Sequence, residues 1–472
     1  MKEFIVAIEL GSTKITGIAG QKNLDGSFSI LAVAKEDASQ CIRKGVVYNI
    51  DKTVMSIQNI VKKLETSLKT KIACVYVGVG GQSLQSIKNV VPRDLDEPTQ
   101  ITYNMIDQLR DTNRSMDYPD REILNAAVQE YKVDNQLNID PVGIPCKRLE
   151  GNFLNIVWRK SFYRNLNRCF ELAGVKIAEM RISLLMLANN VLTENEKRTG
   201  CVLVDLGAET TSVAVFYRNI LRHLVVLPIG GNNITKDIAS FQLDESDAEQ
   251  LKLKYGNAQV TETAYNPTEV IPLDAERKVE MSTFNNVVEA RVEEIVTNVA
   301  HQIPIEYTNN LLGGIILTGG GANLKNIEHV FRSITNIKKV RTANFILQEI
   351  NTLDPDIKAH NGRYNTVLSL LVSGEINCAG EDIRNDLFAD ENADDAPGTE
   401  MPKGTVDDFT KVPTPDEKEQ EDEERRRRQE ELEREAEEQR QAERAERKKN
   451  SWGNRAWRSM KSFLGSLVEP ED

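Results

Sequence analysis

Apolar residues are laid along this chain in two rhythms, and the first appears within a few residues of Met1. Phe4-Ile5-Val6-Ala7-Ile8 is a short continuous apolar run, the signature of a strand buried on both faces. It runs into a glycine turn and resumes beyond it. From Asp51 to Leu68 the period changes. Val54, Ile57, Ile60, Val61 and Leu64 share one face, which predicts an amphipathic helix. Cys74-Val75-Tyr76-Val77-Gly78-Val79 is a second buried-type strand. Between about Gln82 and Ser161 the text turns to longer, more polar strands and turns, such as Gln85–Lys88 and Asn152–Val157, and reads as an inserted segment. Helices are expected at about Phe162–Ala173 and Leu184–Leu192. At Cys201-Val202-Leu203-Val204-Asp205 the strand–turn–strand opening recurs. Helical periodicity dominates Thr235–Tyr255 and Asn286–Ile303, and Ile315-Ile316-Leu317 runs into three glycines. The core pattern ends near Cys378. The expected fold class is α/β, with two lobes that each open on a hairpin with a glycine turn.

Charge separates this core from the tail. The 472 residues carry 59 Lys and Arg against 72 Asp and Glu, a net charge of −13. From Ala379 to the end there are 28 acidic and 17 basic residues, which leaves 44 acidic and 42 basic residues in the first 378. The acidity belongs to the tail, and the body is nearly neutral. A chain with this balance is a poor match for nucleic acid phosphates. The six cysteines are scattered without a CxxC pair, so they read as buried thiols in a reducing compartment rather than as a zinc or disulfide framework. No apolar run approaches the ~20 residues that span a bilayer, and no signal peptide is visible ahead of the first strand.

Three glycine-bearing turns carry the candidate chemistry. In Glu9-Leu10-Gly11-Ser12-Thr13-Lys14 the glycine lets backbone approach a phosphate closely. Ser12, Thr13 and nearby amides can donate to its oxygens, and Glu9 can hold the water shell of Mg²⁺. Asp205-Leu206-Gly207-Ala208-Glu209-Thr210-Thr211 repeats the arrangement, with Asp205 as the second candidate Mg²⁺ carboxylate. Gly319-Gly320-Gly321 would allow a flat base to lie against backbone. Each turn follows a buried strand, and their order is the nucleotide-binding pattern of the actin and sugar-kinase superfamily. Ala248-Glu249-Gln250-Leu251-Lys252 places Glu249 and Lys252 on one helix face, and in the ATPases it resembles such a helix reaches the adenosine ribose.

The tail has two parts. Asp416–Lys449 is a run of Glu, Arg, Gln and Lys without the two apolar positions per heptad of a coiled coil, and reads as a solvated helix or disordered linker. The last segment is different. At 100° per residue Ala456, Trp457, Met460, Phe463, Leu464, Leu467 and Val468 fill one arc of about 140°. Arg458 lies on the opposite side and Lys461 at the seam, where its stem can snorkel. This is the arrangement of a helix lying in the interface of an anionic membrane.

Taken together these residues carry a family resemblance. The stretches Val6–Lys14, Val75–Gly81, Tyr131–Asn135 with Asp140–Ile144, Leu192–Glu196, Asp205–Thr211, Pro228–Gly231 with Ile234–Ile238, Ala248–Lys252, Glu289–Glu294 and Leu317–Gly321 resemble the FtsA family of bacterial division proteins. The family is actin-like, and the matches cover about residues 1–378. The resemblance implies a bilobed, ribonuclease H-like ATPase fold with subdomain 1A at 1–81 and 163–200 and an inserted subdomain 1C at 82–162. It places 2A at 201–245 and 306–378, 2B at 246–305, a charged linker at 379–450 and an amphipathic membrane-targeting helix at 451–468. It implies ATP with Mg²⁺ between the lobes and head-to-tail protofilaments on the cytoplasmic face of the inner membrane. It also implies tethering of FtsZ through that protein's C-terminal peptide at 2B, beside Arg291, and recruitment of later division proteins.

Two departures from the family pattern bear on chemistry. Glu9 stands where many actin-like proteins have Asp. Glu209 stands where the second turn usually has Gly, and a carboxylate aimed at a polyphosphate repels it unless it turns away or meets Mg²⁺. No acidic or Gln residue in the Arg181–Leu184 region is placed to orient an attacking water, so slow hydrolysis is expected and no catalytic residue is assigned. A metabolite kinase of the same superfamily needs a catalytic base, and a pilus-assembly adaptor of the PilM type needs no such tail. Neither has a use for a linker ending in a membrane helix, which favours the division adaptor.

Overall fold

The computed structural model describes residues 3–259, 269–274 and 277–382. The first lobe is a six-stranded sheet. Its opening hairpin pairs Ile5–Leu10 with Lys14–Lys22, from Ile5 opposite Gly20 to Leu10 opposite Ile15. Phe28–Asp37 extends it antiparallel on one side, and Val75–Val79 and Ile177–Ile182 extend it parallel on the other. Parallel strands are covered on both faces. Hence Val75–Val79 is buried throughout. The helix Ile50–Leu68 covers one face. Asn49 caps it by accepting the Lys52 N–H, and Thr53, Ile57, Ile60 and Leu64 point inward. Helix Asn365–Val372 packs on the other face.

The second lobe repeats the plan. Cys201–Leu206 and Thr211–Tyr217 form its hairpin, Gly314–Thr318 adds a parallel strand beside Cys201–Leu206, and Val340–Thr342 adds one beside Gly314–Thr318. Helices Gly231–Ala239, Met281–His301 and Ile327–Thr335 supply Ile234, Ile238, Phe284, Val288, Val296 and Phe331 to its core. Thr235–Tyr255, where helical periodicity dominates, is divided into two helices. Helix Gly231–Ala239 ends near Gln242, whose φ is +63°, and a second helix, Glu245–Tyr255, begins after Asp244.

The inserted segment has its own core, in which Ile101, Ile106, Leu109, Tyr131, Leu149 and Phe153 meet. Its long strands are Gln85–Gln100, Arg121–Val133 and Pro145–Arg159. It also contains a helix, Tyr103–Arg114, where the sequence pattern suggested only strands and turns. Thr102 caps that helix, and Met105, Ile106 and Leu109 anchor it. The insert leaves from and returns to the first lobe, yet its sheet continues into the second. Gln85 pairs with Val225, and the Leu224 N–H donates to Ser86 Oγ at 2.8 Å. Gln129 Nε2 donates to the Leu221 carbonyl at 2.7 Å, and Arg222 pairs with Glu130 at 2.8 Å. Lys88 meets Glu306 at 2.6 Å. The result is one sheet of nine strands.

Beyond Cys378, where the linker was expected to begin, Ala379–Asp382 forms a further strand antiparallel to Thr70–Ile72. All six cysteines are free and buried. Among the described residues no helix is long and apolar enough to cross a membrane. The rest of the linker and the segment 451–468, with Trp457, Arg458, Met460, Lys461, Phe463, Leu464 and Leu467, lie outside the described residues.

Candidate functional site

The two hairpins bring their glycine turns to the mouth between the lobes, and both close the same way. The Gly11 N–H donates to the Lys14 carbonyl at 3.1 Å and the Gly207 N–H to the Thr210 carbonyl at 2.9 Å. A Cβ on either glycine would fall within 2.9 Å of those carbonyls. The second turn is braced from behind: the Gly231 and Asn232 N–H groups donate to the Gly207 and Ala208 carbonyls at 2.9 and 2.6 Å.

Glu9 and Asp205 sit at corresponding places at the ends of the two hairpin strands. Burial first, and then the nearby Asp205 charge, push the Glu9 carboxyl up to about 7 against the pull of Lys14. Burial pushes Asp205 up to about 6. Two poorly solvated carboxylates that oppose each other's ionisation fit a divalent cation. Among the described residues no cluster of three or more metal-binding side chains exists. Glu9 and Asp205 could hold a divalent cation only with other oxygens, of water or a ligand, completing its shell.

The glycine run lies directly on this centre. Gly319 has φ +83°, and a Cβ there would fall 2.4 Å from Asp205 Oδ1. A Cβ at Gly321 would meet Leu206 Cβ at 2.9 Å. A Cβ at Gly320 would meet only Arg363, at an ordinary contact distance of 3.7 Å. Beside the run lies a small apolar slot lined by Leu206, Gly230, Gly231, Ile234, Gly321, Leu324 and Ile327 together with Val292 and Ile295.

Several side chains have other duties than the sequence suggested. Thr211 is fully buried and its hydroxyl donates to the Ile229 carbonyl at 2.9 Å, so it braces the hairpin and faces no ligand. Ser12 Oγ accepts the Gly45 N–H at 2.9 Å. Thr13 offers its carbonyl to Ala38. Lys14 lies 3.9 Å from the centre of the Tyr364 ring. Glu209 turns away from the cleft centre and accepts the Lys44 N–H at 2.6 Å, which resolves the repulsion expected of it. Lys252 joins Glu249 at 2.6 Å and donates to Thr235 Oγ1 and the Gly231 carbonyl at 2.8 and 3.1 Å. This pair thus fixes the backbone behind the second turn, and Glu249 keeps the more exposed face. Arg291 does not wait free for a peptide: its guanidinium takes Asp237 at 2.5 and 3.0 Å and also meets Glu294. Arg181, in the region searched for a water-orienting group, pairs with Glu179 at 2.7 Å.

Two elements of the cleft escaped the sequence reading. One is the tight hairpin at Lys44 and Gly45, with φ +49° and +72°, packed backbone to backbone on Gly81. Its Lys-Gly step between Ile42-Arg43 and Val46-Val47 is a turn signal that could have been found. The other is the loop Asn361–Asn365, which carries no motif.

Comparison with known proteins fits this arrangement. The family model "Cell division protein FtsA" matches residues 202–369, and the "SHS2 domain inserted in FTSA" matches 81–157. Cell division protein FtsA of Porphyromonas gingivalis is 32% identical over 359 residues, 75% of this chain and 74% of its own length. This chain belongs to the FtsA family. The FtsA of Neisseria meningitidis is 30% identical over 383 residues and matched over 90% of its length. Among solved structures, the PilM–PilN type IV pilus biogenesis complex superposes with a TM-score of 0.53 at 14% identity, covering 78% of this chain and 97% of that one. That likeness is one of fold, the actin-like α/β fold, here carrying the insert of the FtsA family.

Proposed function

We propose that this FtsA-family chain is an ATP-binding adaptor that polymerises at the division site and fastens FtsZ to the cytoplasmic face of the inner membrane. The observation that carries the nucleotide part is the meeting of two like-built glycine turns with Glu9 and Asp205 between them and Gly319 against Asp205. Gly11, Ser12, Thr13 and Lys14 on one side and Gly207 and Thr210 on the other would hold the phosphates. Gly319-Gly320-Gly321 and the Glu249–Lys252 helix would take the adenosine, and Mg²⁺ supplies charge neutralisation when bound. Hydrolysis is slow in this reading, because Arg181 is paired with Glu179 and no water-orienting acid is assigned.

The amphipathic pattern at 451–468 supports attachment to anionic lipid. Family membership supports head-to-tail self-association, an FtsZ C-terminal peptide on 246–305 and later division proteins on the insert. Liposome co-sedimentation of wild type against a Trp457→Glu/Phe463→Glu double variant tests the anchor, and equal lipid binding would refute it. Pull-down with an FtsZ C-terminal peptide tests the tether. ATP turnover near the ~1–100 s⁻¹ of kinases would contradict the adaptor reading.

A further inference from the structure

The loop between helix Pro355–Lys358 and helix Asn365–Val372 is tied to the glycine run with unusual completeness. Asn365 Nδ2 donates to Thr318 Oγ1 and to the Ala343 carbonyl, both at 2.9 Å, from a buried position. The Gly362 N–H donates to the Asn344 carbonyl at 2.8 Å, and Asn323 Nδ2 donates to the Asn361 carbonyl at 2.7 Å. Gly362, at φ +75°, packs so closely that a Cβ there would lie 3.3 Å from the Gly319 nitrogen. Five residues are held in register with the turn that lies on Asp205, and they present one exposed cation, Arg363.

Among the described residues no carboxylate is paired with that cation. A Cβ built on Gly320 would have Arg363 Cγ at 3.7 Å and Nε at 3.9 Å as its nearest neighbours, so the side chain runs along the glycine backbone. Burial lowers the Lys14 ammonium, Glu9 opposes this, and the nearby charges of Lys35 and Arg363 lower it further. Lys35, the third cation of the group, is satisfied by Asp356 at 2.5 Å. Lys14 and Arg363 have no ion pair among the described residues, and Lys14 rests on the Tyr364 ring. The Glu9 and Asp356 carboxylates act on Lys14 from nearby, but neither forms an ion pair with it, so Lys14 and Arg363 stand beside the glycine run as two cations free to take an anion.

We propose that Arg363 is a phosphate-binding residue of the nucleotide cleft, reaching the polyphosphate from the glycine-run side while Lys14 holds it from the first turn. The inference rests on the nucleotide-binding reading above. An arginine suits the task because its fork can take two phosphate oxygens at once.

The test is calorimetric titration of the full chain with ATP, ADP and adenosine, in wild type, Arg363→Gln and Arg363→Lys. Arg363→Gln should weaken ATP and ADP about tenfold and leave adenosine unchanged, with Arg363→Lys between. Raising salt should narrow the gap between wild type and Arg363→Gln. Equal ATP affinity in wild type and Arg363→Gln would overturn the proposal, as would an equal loss for adenosine and ATP, which would place Arg363 on the base or ribose. Wild type that binds no nucleotide would instead refute the underlying reading. Melting without nucleotide shows that each variant is folded, which the exposed and unpaired position of Arg363 leads us to expect.

Discussion

The Glu209 carboxylate accepts the Lys44 N–H at 2.6 Å, and so a side chain of the second glycine turn is bonded to backbone in the first lobe. Ser12 accepts the next N–H, that of Gly45, at 2.9 Å. The Lys44–Gly45 hairpin is therefore gripped from both lobes at once. A hydrogen bond to a carboxylate contributes about 1.5–3 kcal/mol. Glu209→Gly should raise hydrogen exchange at the Lys44 amide roughly tenfold or more, and Glu209→Gln less. Unchanged exchange in Glu209→Gly would show that the bridge does not form in solution.

Glu9 and Asp205 make the cleft sensitive to pH. Their carboxyls bind protons more tightly folded than unfolded, so the folded protein loses stability as pH rises from 4.5 to about 7 for Glu9 and from 3.8 to about 6 for Asp205. The cost is absent below the lower values and complete above the upper ones. Glu9→Gln should melt higher than wild type at pH 8 by an amount equivalent to about 1–3 kcal/mol, and the advantage should vanish near pH 4. Millimolar Mg²⁺ should raise wild type at pH 8 and not Glu9→Gln. Parallel wild-type and Glu9→Gln melting profiles between pH 4 and 8 would contradict this.

Glu196 behaves in the opposite sense. Burial alone would raise its carboxyl, but the Arg341 guanidinium at 2.7 and 2.8 Å and the capping bonds with Thr193 win, and hold it down to about 2. Its contribution is present above 4.5 and lost as pH falls through about 2. Arg341→Gln strands a buried carboxylate and should cost about 3 kcal/mol in urea unfolding at pH 7, with part of the loss recovered in Glu196→Gln/Arg341→Gln. A double variant no better than the single would sink this account.

The three glycines of the run should not be equivalent. Gly319→Ala forces a side chain into positive φ and against Asp205 Oδ1 at 2.4 Å, and should both destabilise by about 2 kcal/mol and abolish nucleotide binding. Gly320→Ala meets only the flexible Arg363 stem and should fold normally. Thermal melts of the two variants decide it.

The strands and the two hairpin turns were legible because buried strands and glycine turns write themselves locally: Ile5–Leu10, Val75–Val79 and Cys201–Leu206 all stand where the apolar runs put them. What could not be read was set by partners far away in sequence. Thr211 looked like a phosphate ligand until Ile229 claimed its hydroxyl. Arg291 looked like a free surface cation, and Asp237, 54 residues earlier, had already paired with it. Helix Tyr103–Arg114 was missed because only Met105, Ile106 and Leu109 face its core, too few apolar positions to stand out in a polar stretch. Arg363 carries no motif, and only the folding of its loop onto Gly319 and Gly320 brings it to the cleft.

The nine-stranded sheet has a mechanical consequence. The insert is joined to the first lobe by peptide bonds, through Val79 and Lys160, and to the second by the Gln85–Val225 pairing and the ion pairs of Lys88 and Arg222. It therefore acts as a stay across the joint, and the lobes can swing only as far as that seam yields. Whatever grips the insert from outside would stiffen or slacken the cleft, without touching the nucleotide.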